Sequence, residues 1–380
     1  MEKSGAVASI KMVDLHGQYA RIKSEIDDAI QRVIDSTAFI QGPDVGEFAR
    51  NLSSYLGGTN VITCANGTDA LQISMMALGL KPGDEVILPV HTYVATAEVI
   101  ALLGLTPVFV DVDEQTFNLD ANQLQDKITS KTKAVVPVHL YGQCADMELI
   151  LKTANKNGLI VIEDAAQALG ANYTLANGEQ KRAGTIGVIG TTSFFPSKNL
   201  GCFGDGGAIF TSDKSLAERI KIIANHGQRI KYQHDEIGIN SRLDTLQAAI
   251  LNIKLKYLDE YEHKRNEVAK FYDKQLGQIA GIQIPFRSGK STHVFHQYTI
   301  QVAKRDKLKV YLEGEGIPTM IYYPIPLHLQ KAYSRVGFGE GSFPVTERLS
   351  KSVLSLPVHT EMKEDELEFI CATIKKFYHG

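Results

Sequence analysis

The segment SFFPSKNLGCFGDGG, residues 193–207, holds the residues whose types and spacing point most clearly to chemistry. Lys198 stands there in a loop, two residues after Pro196 and just before a cluster of glycines. Most lysines are solvated surface charges, and glycines alone can serve to shape a turn between strands. The strand–turn–helix context of a dinucleotide-binding motif is missing, so that kind of site is excluded. Lys198 becomes a candidate nucleophile if the chain supplies partners for it.

Two side chains that follow strand ends could be such partners. Asp164 closes an apolar strand within VIEDAAQALG, where open α/β sheets place their ligands. An acid at this position is also common as a helix N-cap or as a solvated loop residue. Tyr93, in HTYVAT, follows another strand end and could be either a core residue or a stacking platform.

The segment ANGTDA, residues 65–70, could hold a phosphate group. It links a strand to a helix that begins near Thr68, and the backbone N–H groups at a helix N-terminus bind anions. Gly67 allows close approach because it has no side chain. Many strand–helix turns have a similar composition, so this signal is weak by itself.

Together these residues match what pyridoxal 5'-phosphate requires of a protein. A lysine forms a Schiff base with the cofactor, and a helix N-terminus holds its phosphate. An acid keeps the pyridine nitrogen protonated, so that the ring can accept electrons. The combination predicts pyridoxal phosphate as the cofactor, with Lys198 as the Schiff-base lysine and Asp164 as the acid.

The same segments resemble the motifs of a known family. ANGTDALQ, TYVATAE, VFVDVD, EDAAQALG, SFFPSKNLG, GDGGAIFT and NSRLDTLQAAIL are similar, in order and spacing, to motifs of the DegT/DnrJ/EryC-type nucleotide-sugar aminotransferases, which are fold-type I pyridoxal phosphate enzymes. The resemblance runs from about Val13 to the C-terminus. It implies an α/β, aspartate aminotransferase-like fold with a mostly parallel central sheet and a smaller α/β C-terminal domain.

The resemblance also implies a role for individual residues. Lys198 would form the Schiff base and shuttle the proton. The residues implied to bind the cofactor are Asp164 at the pyridine nitrogen, Gln167 at the ring hydroxyl, Tyr93 stacked on the ring, Gly67, Thr68 and Ser193 at the phosphate, and Asn240 reaching the phosphate from the other subunit. Arg242 and His328 would lie near the sugar nucleotide. A structural salt bridge for Arg242 and a solvated loop position for His328 are the alternatives.

Within the family, LYGQCADM, HGQ, RLDTLQAAIL and YYPIPLH are most similar to UDP-2-acetamido-2-deoxy-3-oxo-D-glucuronate aminotransferases. The implied reaction moves an amino group from L-glutamate to C3 of that nucleotide sugar, for surface polysaccharide such as the O-antigen of lipopolysaccharide. The implied assembly is a homodimer with shared active sites.

Three other functions stay open. A TDP-3-oxo-6-deoxyhexose or a 4-keto nucleotide sugar could be the acceptor instead. A deoxysugar dehydratase of the same family would replace the lysine with histidine, whereas Lys198 is present. A non-catalytic binding or regulatory protein would be expected to lose Lys198 or Asp164, and both are retained.

Alternating helices and strands must position these residues. Near-continuous apolar runs separated by helical stretches predict parallel strands covered on both faces. The predicted strands are 61–65, 85–90, 107–112, 134–140 and 159–164, followed by adjacent strands at 188–195 and 207–212. The predicted helices are 22–35, 68–79, 96–104, 146–158 and 215–225.

A long helical pattern over residues 243–276, without internal proline or glycine, predicts a connector between domains. We therefore expect a large cofactor-binding domain over residues 1–250 and a smaller C-terminal domain over residues 251–380. A last helix is predicted from about Lys363.

Composition excludes several other classes of protein. The chain has 380 residues, and its 40 basic and 43 acidic side chains give a net charge of −3, which argues against broad binding to nucleic acid or anionic membranes. The four cysteines lie far apart, so neither a disulfide framework nor a metal site is expected. Without a signal peptide or a long apolar run, a cytoplasmic location is predicted.

Overall fold

Within residues 10–379, which the computed structural model describes, a central seven-stranded sheet organises the chain. The strands are β1 (Asn60–Cys64), β2 (Glu85–Pro89), β3 (Thr106–Val110), β4 (Thr132–Val135), β5 (Ile160–Asp164), β6 (Asn172–Thr174), β7 (Gln180–Arg182), β8 (Ile189–Ser193), β9 (Gly207–Thr211), β10 (Gln228–Ile230), β11 (Gln233–His234), β12 (Ile282–Gln283), β13 (Tyr298–Val302) and β14 (Val353–Leu356). The α-helices are α1 (Leu15–Arg21), α2 (Lys23–Ser36), α3 (Pro43–Tyr55), α4 (Gly67–Ala77), α5 (Ala95–Leu102), α6 (Leu124–Lys127), α7 (Met147–Asn157), α8 (Lys214–Ala224), α9 (Thr245–Leu255), α10 (Leu258–Leu276), α11 (Arg305–Gly314), α12 (Pro344–Ser352) and α13 (Glu364–His379).

The strand order of the central sheet is β1-β9-β8-β5-β4-β2-β3. The pairs along β3, β2, β4, β5 and β8 are parallel, whereas β9 runs antiparallel to both of its neighbours, β1 and β8. The prediction of a mostly parallel sheet is thus confirmed. The last two predicted strands, β8 and β9, pair with each other as expected. Parallel strands end at the same edge of a sheet, so the residues that follow β2, β4, β5 and β8 are brought together there.

Apolar residues on both faces of each strand explain the near-continuous runs. In β2, Val86 and Leu88 belong to the core beneath α4, α5 and α8, whereas Ile87 points to a second core that contains Val135 and Ile150. Successive side chains of a strand point to opposite faces, so a strand covered on both sides must be apolar throughout.

The predicted single helix over residues 243–276 is wrong. The chain forms two helices, α9 and α10, with a break at Lys256 and Tyr257. The two helices pack into different cores. α9 buries Ala248 and Leu251 beside the large sheet, whereas α10 buries residues such as Tyr272 in the C-terminal core. Neither proline nor glycine marks the break, so local sequence carried no signal for it.

The C-terminal core is smaller and has its own antiparallel sheet, β12-β13-β14. Its buried residues come from this sheet and from α10, α11 and α13, as with Ile300, Leu354 and Ile370. This is the smaller α/β unit that the sequence predicted. The domain boundary at residue 250 stays a prediction; it falls inside α9, which packs on α2 and α3.

Two further features concern the surface. β6 and β7 pair antiparallel and form a hairpin over residues 172–182. In the part of the chain that the structure describes, no helix is both long enough and apolar enough to cross a membrane.

Candidate functional site

Lys198 lies in the loop between β8 and β9, at the carboxyl edge of the sheet. The loop turns tightly here, since the backbone N–H of Lys198 donates to the Phe195 carbonyl at 2.8 Å. A Cβ at Gly201 would lie 2.3 Å from the Pro196 oxygen, so only glycine fits. Burial lowers the pKa of the Lys198 amine to about 8, although the negative charge of Asp164 acts in the opposite direction.

Two distant side chains hold this loop in place. Lys254, buried on α9, donates from Nζ to the Gly201 carbonyl at 2.6 Å. Asn199 donates from Nδ2 to the Val294 carbonyl at 3.0 Å and so ties the loop to the C-terminal part of the chain. Lys254 was not predicted to belong to the site, because a lysine in a helix gives no local sign in the sequence that it is buried.

Asp164 is the last residue of β5 and is 7% exposed. Its Oδ2 accepts from the Thr96 hydroxyl at 3.0 Å, and its Oδ1 accepts from the Ala166 N–H at 3.1 Å. Both donors fix the orientation of the carboxylate. Thr96 was not predicted to be part of the site, although it belongs to the HTYVAT segment and lies one helical turn beyond Tyr93.

A buried pair behind Asp164 stiffens the end of β5. His139 and Glu163 are both buried, with Nε2 and Oε2 2.9 Å apart. The Ala145 N–H donates to His139 Nδ1, so the imidazole proton sits on Nε2 and points at Glu163. Glu163 also accepts from the N–H groups of Gly184 and Ile186. The strand end that carries Asp164 is therefore anchored on both sides.

The start of α4 forms the predicted phosphate cradle. Asn66 caps the helix by accepting the Asp69 N–H at 2.8 Å, while the N–H groups of Gly67 and Thr68 have no acceptor among the described residues. A Cβ at Gly67 would lie 2.7 Å from the Cβ of Ser193, so a side chain there would close the space between α4 and β8. Free N–H groups, the Ser193 hydroxyl and a glycine suit a phosphate group.

Gln167 and Tyr93 lie on the other side of Asp164. Gln167 is buried; its Oε1 accepts the Tyr141 N–H at 2.8 Å, and its Nε2 donates to the Tyr323 hydroxyl at 3.2 Å. Tyr93 is 57% exposed, and its ring centroid lies 6.1 Å from that of Tyr323. An exposed aromatic beside a buried polar cluster is suited to stack on a ligand rather than to fill the core.

The residues described so far, namely Lys198, Asp164, Gln167, Tyr93 and the start of α4, form what we call the Lys198 cluster. Within one chain, the structure does not bring Asn240 or Arg242 to this cluster. Asn240 is exposed, and Arg242 is partly buried with Nη1 3.5 Å from Asn225 Oδ1. Arg242 lines a separate cavity of about 380 Å³, together with Lys221 and Arg229. Among residues 10–379, no hydrogen bond joins Asn240 or Arg242 to a residue of the cluster.

His328 is 2% exposed and lies 3.0 Å from Glu347 through its Nε2. Glu347 also accepts from the backbone N–H groups of Gly341 and Phe343, so this network orders the chain ahead of α12. This arrangement does not support the predicted contact of His328 with a sugar nucleotide. Because His328 is buried, it is not a solvated loop histidine either.

The residues present fit pyridoxal phosphate. A buried amine of lowered pKa, an oriented carboxylate, a helix N-terminus with free donors and an exposed aromatic are found at the sheet edge. These groups would supply a covalent link, a partner for the ring nitrogen, a phosphate cradle and a stacking surface. These roles would be taken, in the same order, by Lys198, by Asp164, by Gly67 with Thr68 and Ser193, and by Tyr93.

Comparisons with known proteins agree with this fit. A family model described as the DegT/DnrJ/EryC1/StrS aminotransferase family matches residues 20–375. UDP-2-acetamido-2-deoxy-3-oxo-D-glucuronate aminotransferase of Pseudomonas aeruginosa is 48% identical to the chain over 365 residues, which cover 96% of this chain and 99% of that protein. A pleiotropic regulatory protein of Geobacillus stearothermophilus is 46% identical over 372 residues, with coverage of 97% and 99%.

The solved structures give the same result. The crystal structure of S. venezuelae DesV in complex with a ketimine intermediate superimposes with a TM-score of 0.95 at 38% identity, and the match covers 98% of this chain and 100% of that one. A full-length match at this TM-score confirms the fold predicted from the sequence.

Proposed function

Because the chain belongs to the DegT/DnrJ/EryC1/StrS aminotransferase family, whose cofactor is pyridoxal phosphate, we propose that it transfers an amino group from L-glutamate to a nucleotide sugar. The acceptor is C3 of UDP-2-acetamido-2-deoxy-3-oxo-D-glucuronate, and the product serves surface polysaccharide such as O-antigen. One observation carries the proposal, namely a loop amine of lowered pKa beside an oriented carboxylate at the sheet edge. A cytoplasmic location stays a prediction.

The residues of the chain divide the work of the reaction. When bound, the cofactor supplies an aldehyde that condenses with amines and a ring that withdraws electrons. Lys198, with a pKa of about 8, has a neutral fraction near neutral pH, so its amine can attack a carbonyl and then carry a proton to and from the reacting carbon. Asp164, held by Thr96, holds a proton on the ring nitrogen. Gly67 and Thr68 fix the phosphate.

The substrate assignment rests on similarity and on charge. The Pseudomonas aeruginosa relative, 48% identical over nearly the whole chain, is named for the 3-oxo-glucuronate. A uronate carries a carboxylate that a neutral deoxyhexose lacks, and arginine binds carboxylates with two parallel hydrogen bonds. Arg242 is the proposed partner of this carboxylate.

We propose that Arg242 acts in the site of a second subunit. Among the described residues, neither Arg242 nor Asn240 forms a hydrogen bond with the Lys198 cluster of its own chain, and Asn240 is exposed. We infer a homodimer in which both residues complete the site of the partner subunit. Phe195, three residues before Lys198, is 52% exposed, and such an exposed aromatic supports burial against another chain.

A panel of acceptors tests the substrate. The pyridoxamine form of the protein should convert the UDP-linked 3-oxo uronate in a single turnover. TDP-3-oxo-6-deoxyhexose should react about 100-fold or more slowly, because it offers no carboxylate to the Arg242 guanidinium. Arg242→Lys should lower kcat/KM for the uronate by about 10-fold or more. Arg229→Lys, in the same cavity, is the matched control.

The outcomes separate the alternatives. A deoxyhexose or a 4-keto sugar that reacts as well as the uronate overturns the substrate but leaves the transaminase. A protein that takes up the cofactor yet releases a dehydrated sugar, without amino transfer, would be a dehydratase. A protein that takes up no cofactor would be a binding or regulatory homologue, as the name of the Geobacillus stearothermophilus relative suggests for that relative.

A further inference from the structure

Three buried polar atoms near the loop of Lys198 have no hydrogen-bond partner among residues 10–379. They are Oδ1 of Asn199, Nε of Arg265 and Nδ1 of His296. All three residues are buried, with 6%, 3% and 7% of their surface exposed. A buried polar atom without a partner costs free energy, so three of them together indicate a bound molecule that pairs with them.

One short segment, residues 294–296, brings the three side chains together. Asn199 donates from Nδ2 to the first carbonyl of this segment at 3.0 Å, and Arg265 donates from Nη1 to the second carbonyl at 3.0 Å. His296 is the third residue of the segment. The loop of Lys198, helix α10 and the C-terminal part of the chain therefore meet at one buried point.

The hydrogen bonds already present fix what each free atom needs. A carbonyl can only accept, so the Asn199 atom that contacts Val294 is the amide nitrogen, and the free atom is the amide oxygen, an acceptor. The Nε of Arg265 carries a hydrogen and can only donate. Gln297 Nε2 can also only donate, and it lies 3.5 Å from Nε2 of His296, so the proton of a neutral imidazole is on Nδ1.

The imidazole of His296 is neutral. Burial lowers its pKa well below the ordinary value, and the positive charges of Lys198 and Arg265 act in the same direction. The three side chains thus present two free donors, from His296 and Arg265, and one free acceptor, from Asn199.

This combination fits a water molecule and not an ion. A water molecule accepts two hydrogen bonds and donates two, so it can pair with both donors and with the Asn199 oxygen. An anion such as chloride could accept from the two donors, but it has no proton for the Asn199 oxygen and would be repelled by its lone pairs. A cation would face the positive Arg265 guanidinium.

We propose that Asn199, Arg265 and His296 bind one buried water molecule, which ties the loop of Lys198 to α10 and to the C-terminal part of the chain. Asn199 follows Lys198 directly, so this water restricts the backbone that carries the amine. Asn199 and His296 are then positioning residues, because they act on Lys198 through the loop. The water site is independent of the proposed function, whereas its effect on Lys198 rests on that function.

Two variants of His296 separate the Nδ1 atom from the rest of the side chain. The amide atoms of asparagine lie two bonds beyond Cβ, as Nδ1 of histidine does, whereas those of glutamine lie three bonds beyond Cβ, as Nε2 does. His296→Asn therefore keeps a donor for the water, and His296→Gln loses it. Circular dichroism and thermal unfolding of each full-length protein show whether it is folded.

The first measurement is a high-resolution crystal structure. The wild-type protein should hold one ordered water within hydrogen-bond distance of Asn199 Oδ1, Arg265 Nε and His296 Nδ1. The water should remain in His296→Asn and be absent from His296→Gln. The wild-type structure needs no variant, so it decides the water site even if His296→Gln does not fold.

The second measurement is the rate at which the cofactor-free protein captures pyridoxal phosphate covalently at Lys198. At a pH above the midpoint, His296→Gln should be about 10-fold slower than wild type, because a misplaced nucleophile attacks poorly. His296→Asn should stay within about threefold. The midpoint itself should remain near pH 8 in all three proteins, because the water holds the loop without adding a charge.

The water site is overturned if the wild-type structure shows an anion there or no ordered molecule at all. The role at Lys198 is overturned if the three proteins capture the cofactor at equal rates, or if the midpoint of His296→Gln moves, since the imidazole would then act through its charge. If the wild-type protein captures no pyridoxal phosphate, the proposed function fails and the water site is unaffected.

Discussion

At Lys198 two effects act on the amine in opposite directions. Burial disfavours the charged form, while the negative charge of Asp164 favours it. Burial is the larger effect, and the pKa of the amine therefore falls to about 8. An ordinary lysine, with a pKa of 10.5, would be almost wholly protonated near neutral pH and a poor nucleophile. Burial of the Lys198 side chain thus makes its amine more nucleophilic near neutral pH.

We predict that covalent capture of pyridoxal phosphate by the cofactor-free protein speeds up with rising pH, with its midpoint at about pH 8. The reason is that only the neutral amine attacks the aldehyde. Asp164→Asn should move the midpoint to lower pH, since the opposing charge is gone. Stopped-flow absorbance measures the rate.

Borohydride reduction and peptide mapping identify the lysine in the same samples. Lys198→Ala should abolish turnover, while the cofactor still binds weakly through the phosphate cradle. Label on a different lysine, or a midpoint near the ordinary lysine value, would contradict the assignment.

At the scale of elements, α9 supports the loop that carries Lys198. Its buried Lys254 reaches the Gly201 carbonyl, and its Asn252 donates to the Asp44 carbonyl at the start of α3. Asn51, on α3, donates to Asn252 at 2.9 Å. The helix is therefore fixed to α3 on one side and to the lysine loop on the other.

Lys254 should give the protein a pH-dependent stability. Burial lowers its pKa to about 8 from the ordinary 10.5, so the unfolded chain binds more protons between these values. The free energy of unfolding then rises with pH across this window. Lys254→Met removes this rise. The free energy of unfolding of wild type, relative to that of Lys254→Met, should therefore increase by up to about 3 kcal/mol from pH 8 to pH 10.5.

Urea unfolding of the cofactor-free proteins at the two pH values measures the difference. Lys256→Met, at the exposed end of the same helix, is the control and should unfold with the same pH dependence as wild type. A constant difference between wild type and Lys254→Met would show that the buried amine is not the cause.

At the scale of the whole molecule, we propose that a second subunit completes the site. The proposed cofactor contacts come from the Lys198 cluster, and no hydrogen bond between described residues joins Asn240 or Arg242 to it. Two copies related by a twofold axis could exchange these residues reciprocally, so that each subunit completes the site of the other.

Hybrid dimers test this exchange. Lys198→Ala and Asn240→Ala proteins should each have little activity, and mixing them under subunit exchange should restore about a quarter of the wild-type sites, because half of the dimers are hybrids with one competent site. Activity of the mixture is compared with the sum of the separate variants. If the mixture shows no gain, Asn240 does not act across the interface.

Local sequence by itself determined the sheet and the residues at its edge. Near-continuous apolar runs specify strands covered on both faces, and parallel strands end together. That is why Asp164, at the end of β5, and the loop of Lys198, after β8, could be predicted to meet. The N-terminus of α4 was predictable for the same reason, since capping and free N–H groups depend on residues adjacent in the chain.

Only the tertiary structure decided the contacts between distant segments. Thr96 at Asp164, Lys254 at Gly201 and Tyr323 at Gln167 join residues separated by tens of positions or more, and no periodicity encodes such pairs. The break between α9 and α10 and the burial of His328 have the same origin, because each results from packing against another part of the chain. A sequence pattern fixes the direction in which a side chain points along its own element, whereas its partner depends on how the elements pack together.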